Sequence, residues 1–336
     1  MFFRMALGYV NKLLSSLPLR KCLDAEPPLH LDPAKVSSEQ FDHVGRFRIL
    51  VIGRSSAGKT SLLQKFCNTT EPPEIIDAKG EKLDMAIVQG SLEREFHSIE
   101  DELIFKKNPS FIFHESPGFE AGSDKELNMM VSFMADRATT TKLGQRMHVI
   151  WYCISMSDYE RPILAAEEKF FNGCNPGSVP VIVVFTKADV MKLPALRQLM
   201  DEGMSMKEAK TRAGNVADQI VNELEGKIAK ELDKFKYPPK GYLSLASMNQ
   251  TDADCSPLLR CTANVQGAIE LQRLLISTQQ VNPVLNIEYA VRRVLLPQFY
   301  EEVGYSKEDL EKEIFLWMPL LKHVRYFLLD KLDLSS

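Results

Sequence analysis

A chain of 336 residues with 45% hydrophobic and 26% charged residues can build one large soluble domain with appendages, or two small ones. Its 41 Lys and Arg against 45 Asp and Glu leave a net charge of −4, with no surplus of cations to neutralise a phosphate backbone. That sets aside a dedicated nucleic-acid binder. The six cysteines are scattered without a C-x-x-C pair, which excludes a zinc or disulfide framework and makes a reducing, cytoplasmic setting the default.

The N-terminal stretch MFFRMALGYVNKLLSSLPLRKCL has no acidic residue before Asp24 and mixes Arg4, Lys12, Arg20 and Lys21 with bulky apolar side chains. It reads as a helix packed on the main domain, as a membrane-surface helix in peripheral contact with lipid, or as a mitochondrial presequence. The Pro- and charge-rich stretch after it reads as a linker, so residues 1–45 form an N-terminal helix and linker. No run of about 18 uninterrupted apolar residues predicts a membrane span.

From residue 46 a repeated grammar sets in. RFRILVIG (46–53) is a short β-branched apolar run that predicts a buried strand, and KTSLLQKFCN after it has helical spacing. The pattern recurs with SFIFHES (110–116), MHVIWYCI (147–154), PVIVVFTK (180–187) and GYLSLAS (241–247), each followed by a helical segment. Near-continuous apolar strands alternating with helices predict a three-layer α/β fold with a mostly parallel sheet. This domain spans 46–280, with a charged helical insertion at about 191–238. A helical C-terminal extension follows over 281–336.

Ligands in such sheets bind at the carboxyl ends of the strands, and the motifs fall there. Gly53, Arg54, Ser55, Ser56, Ala57, Gly58, Lys59 and Thr60 fit G-x-x-x-x-G-K-[ST] between a predicted strand and helix. The backbone of this loop, with Ser61 beginning the helix, cradles phosphate. Lys59 reaches the β- and γ-phosphates, and the Thr60 hydroxyl meets Mg2+. At the end of the 180–187 strand stand Thr186, Lys187, Ala188 and Asp189. A carboxylate there accepts hydrogen bonds from guanine N1–H and the 2-amino group, which adenine does not offer. The Lys187 stem lies along the base.

With these two motifs in order, the chain resembles the Ras-like P-loop GTPase superfamily, whose base reader is N-K-x-D, over roughly residues 46–280. It also resembles fungal G-domain-containing, 50S-ribosome-binding-GTPase-like proteins, whose H-D-S-x-G-F-E segment is similar to HESPGFE here. The resemblance implies a P-loop NTPase G domain that binds GTP and GDP with Mg2+. It further implies that Glu115 holds Mg2+ through water, that the Gly118 amide senses the γ-phosphate, and that an amide in Leu245-Ala246-Ser247 meets guanine O6. Thr186 in place of Asn is expected to weaken one contact to the phosphate loop.

Other positions depart from the superfamily. Glu115 replaces the usual Asp, and its extra methylene either keeps a water-mediated metal contact or crowds an octahedral ion. Phe119 stands where many relatives carry the glutamine that orients water. Glu120 and Arg54 are the alternatives for that help, and no catalytic residue is assigned. No threonine lies between Glu71 and Gly118, so Ser91 is the candidate switch hydroxyl for Mg2+; Ser98 is expected inside the following strand. The loop from 71 to about 92, with Pro, Gly and mixed charge, is expected to order when γ-phosphate binds. His114 faces away from Glu115 on its strand, a packing position.

Three functions stay open. The first is a GTP-binding switch with slow hydrolysis, or hydrolysis assisted by a protein partner or by a second copy across the nucleotide. The second is a non-hydrolysing interaction module, and the third a P-loop ATPase or small-molecule kinase. The insertion between the two base-contacting loops is placed to couple nucleotide state to a partner.

Overall fold

The computed structural model describes residues 46–83, 98–116, 118, 124–140, 145–250, 253–279, 282–295 and 307–317. The chain divides into two units, Met1–Ser38 and Glu39–Ser336, and every described residue belongs to the second. The N-terminal helix and linker, Ser91, Phe119 and Glu120 lie outside the described residues.

Five apolar runs form parallel strands: β1 Phe47–Gly53, β4 Phe111–Glu115, β5 Val149–Ser155, β6 Val181–Thr186 and β7 Gly241–Ser244. The sheet order is β2-β3-β4-β1-β5-β6-β7, with β2 Glu74–Ile76 and β3 Glu102–Ile104 antiparallel at one edge. Every residue of β1, β5 and β6 is buried, because both sheet faces are covered. Val51, Trp151 and Val184 meet one helical layer: α1 Lys59–Phe66, α6 Ser256–Asn264, α7 Ile269–Thr278, α8 Pro283–Ala290 and α9 Lys307–Trp317. Leu50, Tyr152 and Val183 meet the other: α2 Asp124–Thr139, α3 Ala165–Gly173, α4 Lys192–Asp201 and α5 Met206–Leu232. The expected three-layer architecture and helical C-terminal region are present. Leu285, Tyr289 and Trp317 of that region belong to the same apolar cluster as Phe47 and Trp151. Among the described residues no helix is long and apolar enough to cross a membrane.

Three features depart from the expectations. Residues 74–83 form a hairpin rather than a loose loop. Asp77 Oδ1 accepts the amides of Lys79 (2.9 Å) and Glu81 (2.8 Å), and Leu83 N bonds Ile75 O. An Asp that caps its own turn stabilises strands too short to show in an apolar pattern. Ser98 lies ahead of β3, not inside it, and its hydroxyl accepts the Glu100 amide. Helix α6 was not anticipated; Pro257 begins its first turn.

Beneath α2, Arg48 gathers a buried polar cluster. Its guanidinium pairs with Glu102 at 2.6 Å and meets His114 Nε2 at 3.2 Å. The Arg48 amide donates to His148 Nδ1 at 2.9 Å. His114 Nδ1 donates to the Ile99 carbonyl at 3.0 Å, so Nε2 is the acceptor and the ring is neutral. Burial, then Arg48, pushes His114 down to about 3 and His148 down to about 4. Both rings therefore bind fewer protons folded than unfolded. Their contribution is intact above the unfolded value near 6.5 and is lost as pH falls toward 4, by about 1.4 kcal/mol per pH unit for each. Urea unfolding between pH 7 and pH 4.5 should show this slope, and a His114→Asn, His148→Gln double variant should flatten it.

Candidate functional site

The loop between β1 and α1 is shaped by glycine at its entry. A Cβ on Gly53 would lie 2.3 Å from the Cys153 carbonyl oxygen, so the loop can leave β1 this close to β5 only without a side chain. Lys59 folds back over the loop, donating to Gly53 O at 3.2 Å and Arg54 O at 3.0 Å. Burial pulls its pKa below the ordinary lysine value, against the opposing pull of Glu115. A buried ammonium held by carbonyls favours an incoming anion. Ala57 is buried in the core, whereas Ser55, Ser56, Thr60 and Ser61 are exposed at the mouth of the loop and the start of α1. The first turn of α1 carries no acidic residue to oppose an anion there.

The end of β4 meets this loop from the other side. Thr60 Oγ1 donates to Glu115 Oε1 at 2.8 Å, bringing together two of the three predicted metal contacts; the third, Ser91, lies outside the described residues. A Cβ on Gly118 would sit 2.7 Å from Ser55 Cα and 3.1 Å from Lys59 Nζ, so the chain after β4 runs against the phosphate loop. Only glycine fits at that contact.

The third piece comes from β6. Thr186 Oγ1 donates to the Ala57 carbonyl at 2.7 Å, so the contact expected to weaken is a short hydrogen bond. A threonine hydroxyl suffices because β6 itself runs close to the loop. Lys187 takes a left-handed backbone (φ 57°) and its Nζ donates to Ser56 O at 2.8 Å. Asp189, in the 3-10 turn Ala188–Met191, accepts the Ser247 amide through Oδ1 at 2.6 Å. Ala188 N bonds Leu245 O at 3.0 Å, and Leu245 N bonds Phe185 O at 2.7 Å. Two loops distant in sequence are thus clamped into one surface, with Ala246 exposed at its rim. Among the described residues, three of the four non-glycine residues with positive φ, Ser56, Lys187 and Ser247, belong to this site. Each such conformation costs on the order of 1–3 kcal/mol, and strain gathered where these loops meet makes this surface the candidate site.

Arg54, one of the two side chains considered for assisting hydrolysis, is tied down within the fold. Its Nε and an amino group bind both oxygens of Glu167 at 3.0 and 2.9 Å, and it donates to Pro162 O at 2.8 Å. The Glu167 side chain is 0% exposed and also accepts from Tyr152 OH and from the Leu164 amide. Arg54 is an internal anchor of the loop between β1 and α1, not a mobile cation. Glu167 was missed because nothing in EEKFF separates a buried capping carboxylate from a solvated one. Among the described residues no group of three or more His, Cys, Asp or Glu gathers as a metal cluster.

No family model matches the chain, and no curated protein does. Solved structures do resemble it. A GDP-bound NFeoB mutant of S. thermophilus is 14% identical, over 83% of this chain and 91% of that one, with a TM-score of 0.35. A GDP-bound mutant of the S. thermophilus FeoB G-domain gives 14%, 83%, 90% and 0.34. An Aquifex aeolicus Era mutant bound to GDP.AlF4- is 15% identical over 63% of this chain and 54% of that one, TM-score 0.34. Likeness at this level leaves the ligand to be judged from the site's own geometry.

Proposed function

We propose that the chain is a guanine-nucleotide-binding protein that hydrolyses GTP slowly or with a partner's help and acts as a nucleotide-dependent switch. The observation that carries this reading is the Asp189 carboxylate, oriented by the Ser247 amide and set beside Lys187 over the phosphate loop. Each carboxylate oxygen accepts more than one hydrogen bond, so Asp189 keeps capacity for N1–H and the 2-amino group of guanine. The Ala246 amide is the donor for O6. Adenine would set a ring-nitrogen acceptor against the carboxylate, leaving buried acceptors unpaired.

Lys59 would hold the β- and γ-phosphates, the loop amides from Gly53 to Gly58 would wrap them, and the Gly118 amide would face the γ-phosphate. Thr60 and Glu115 fit a magnesium ion, Glu115 through water: the hydroxyl donates its hydrogen bond to the carboxylate, which leaves the hydroxyl's lone pairs for a cation. When bound, Mg2+ neutralises charge on the phosphate oxygens. Hydrolysis alone is slow because Phe119 has no group to orient water and Arg54 is held by Glu167. A protein partner, or a second copy across the nucleotide, supplies the missing group. The same two facts favour a non-hydrolysing interaction module as the second reading.

Titration of the purified protein with fluorescent GDP and GTP in Mg2+, with ATP as competitor, tests the proposal. GTP and GDP should compete, ATP should not, and Lys59→Ala should abolish binding. ATP competing as well as GTP would sink the guanine reading. Single-turnover assays with no phosphate release, alone or with added protein partners, would leave the interaction module.

A further inference from the structure

We infer that Glu225, in the helical insertion, is a positioning residue for the base-reading loops, an inference that rests on the guanine-binding reading above. Strand β7 delivers Ala246 and Ser247, yet it is the edge strand, is four residues long and is only half-buried, unlike the fully buried β6 beside it. A short, half-solvated edge strand is a weak support for a loop that must be fixed to a fraction of an ångström.

Helix α5 provides the support. It packs on both β7 and the Ala188–Met191 turn and, with Asp233 just past its C-terminus, pins β7 at alternate residues. Ser244 Oγ donates to Glu225 Oε2 at 2.7 Å, and Tyr242 OH donates to Asp233 Oδ1 at 2.6 Å. Of the two pins, Ser244 is the one next to the reader: Leu245 follows it, with both backbone groups bonded to the Phe185–Ala188 stretch. Two residues further on, the Ser247 amide holds Asp189. The path Glu225, Ser244, Leu245, Ser247, Asp189 is thus a continuous run of bonds from the insertion to the carboxylate that reads the base.

If Glu225 holds the reader, its loss weakens guanine contacts and spares phosphate contacts. Glu225→Ala should weaken GDP binding about fivefold while weak ADP binding stays unchanged, so the GDP-to-ADP preference falls by the same factor. Ser244→Ala should match it, the double variant should be no worse than either single, and Glu225→Gln, which keeps an acceptor oxygen, should restore the preference. Far-UV circular dichroism and melting temperature report folding for each variant; if Glu225→Ala does not fold, Ser244→Ala, a smaller change, carries the test. The inference is overturned if the preference is unchanged, or if GDP and ADP weaken alike. If the wild-type chain binds no guanine nucleotide, the base-reading proposal falls and takes this one with it; wild-type binding with an indifferent Glu225→Ala removes only the positioning role.

Discussion

Replacing Arg54 with alanine is expected to destabilise the fold by about 3–5 kcal/mol, the cost of leaving a buried carboxylate without its cation. The residue left behind is Glu167, whose side chain is 0% exposed and is aimed at the guanidinium with both oxygens. A loss of this size lowers the melting temperature by roughly 10 °C in a chain of this length. The phosphate loop loses its tie to α3 in the same variant, so GDP affinity falls with stability. Removing the carboxylate as well, in Arg54→Met with Glu167→Leu, should recover part of the stability, because the unpaired buried charge is gone. Recovery stays incomplete because the Tyr152 hydroxyl and the Leu164 amide lose their acceptor. If Arg54→Ala instead melts like wild type and loses only turnover, Arg54 is a hydrolytic group and the anchoring role is wrong.

The second large effect is at Asp189. Asp189→Ala removes two charge-assisted hydrogen bonds to guanine and releases the Ser247 amide, so GDP should bind at least about a hundredfold more weakly. ADP, held by its phosphates alone, should change little. Asp189→Asn is the sharper version. An amide presents one acceptor and one donor, which mismatches guanine's 2-amino group and matches the 2-oxo group of xanthine. Competition of GDP, XDP and ADP against one fluorescent probe reads all three. Equal loss of GDP and ADP affinity in Asp189→Ala would show that the residue supports the fold and does not read the base.

The sequence by itself determined the parallel sheet, and it placed the glycine-rich motif and the Thr186–Asp189 motif just beyond the sheet's strand ends. Buried strands are near-continuous apolar runs, and a loop that wraps phosphate demands glycine and lysine at fixed spacing. Lys59, Thr60, Glu115, Gly118, Lys187 and Asp189 could be singled out as candidates for that reason, each lying at or shortly after the end of a readable strand. Tertiary structure alone decided which side chains those residues meet. The Arg54–Glu167 pair, the Ser247–Asp189 bond and the Glu225–Ser244 pin join positions 113, 58 and 19 residues apart. An arginine in a glycine loop and a glutamate in a charged helix look the same in sequence whether solvated or paired. The 74–83 hairpin stayed hidden as well, and the strand expected around Ser98 begins only at Glu102, since three-residue strands at an edge need no apolar period. Periodicity records how much of a residue is buried, and only the packed chain fixes what it is buried against.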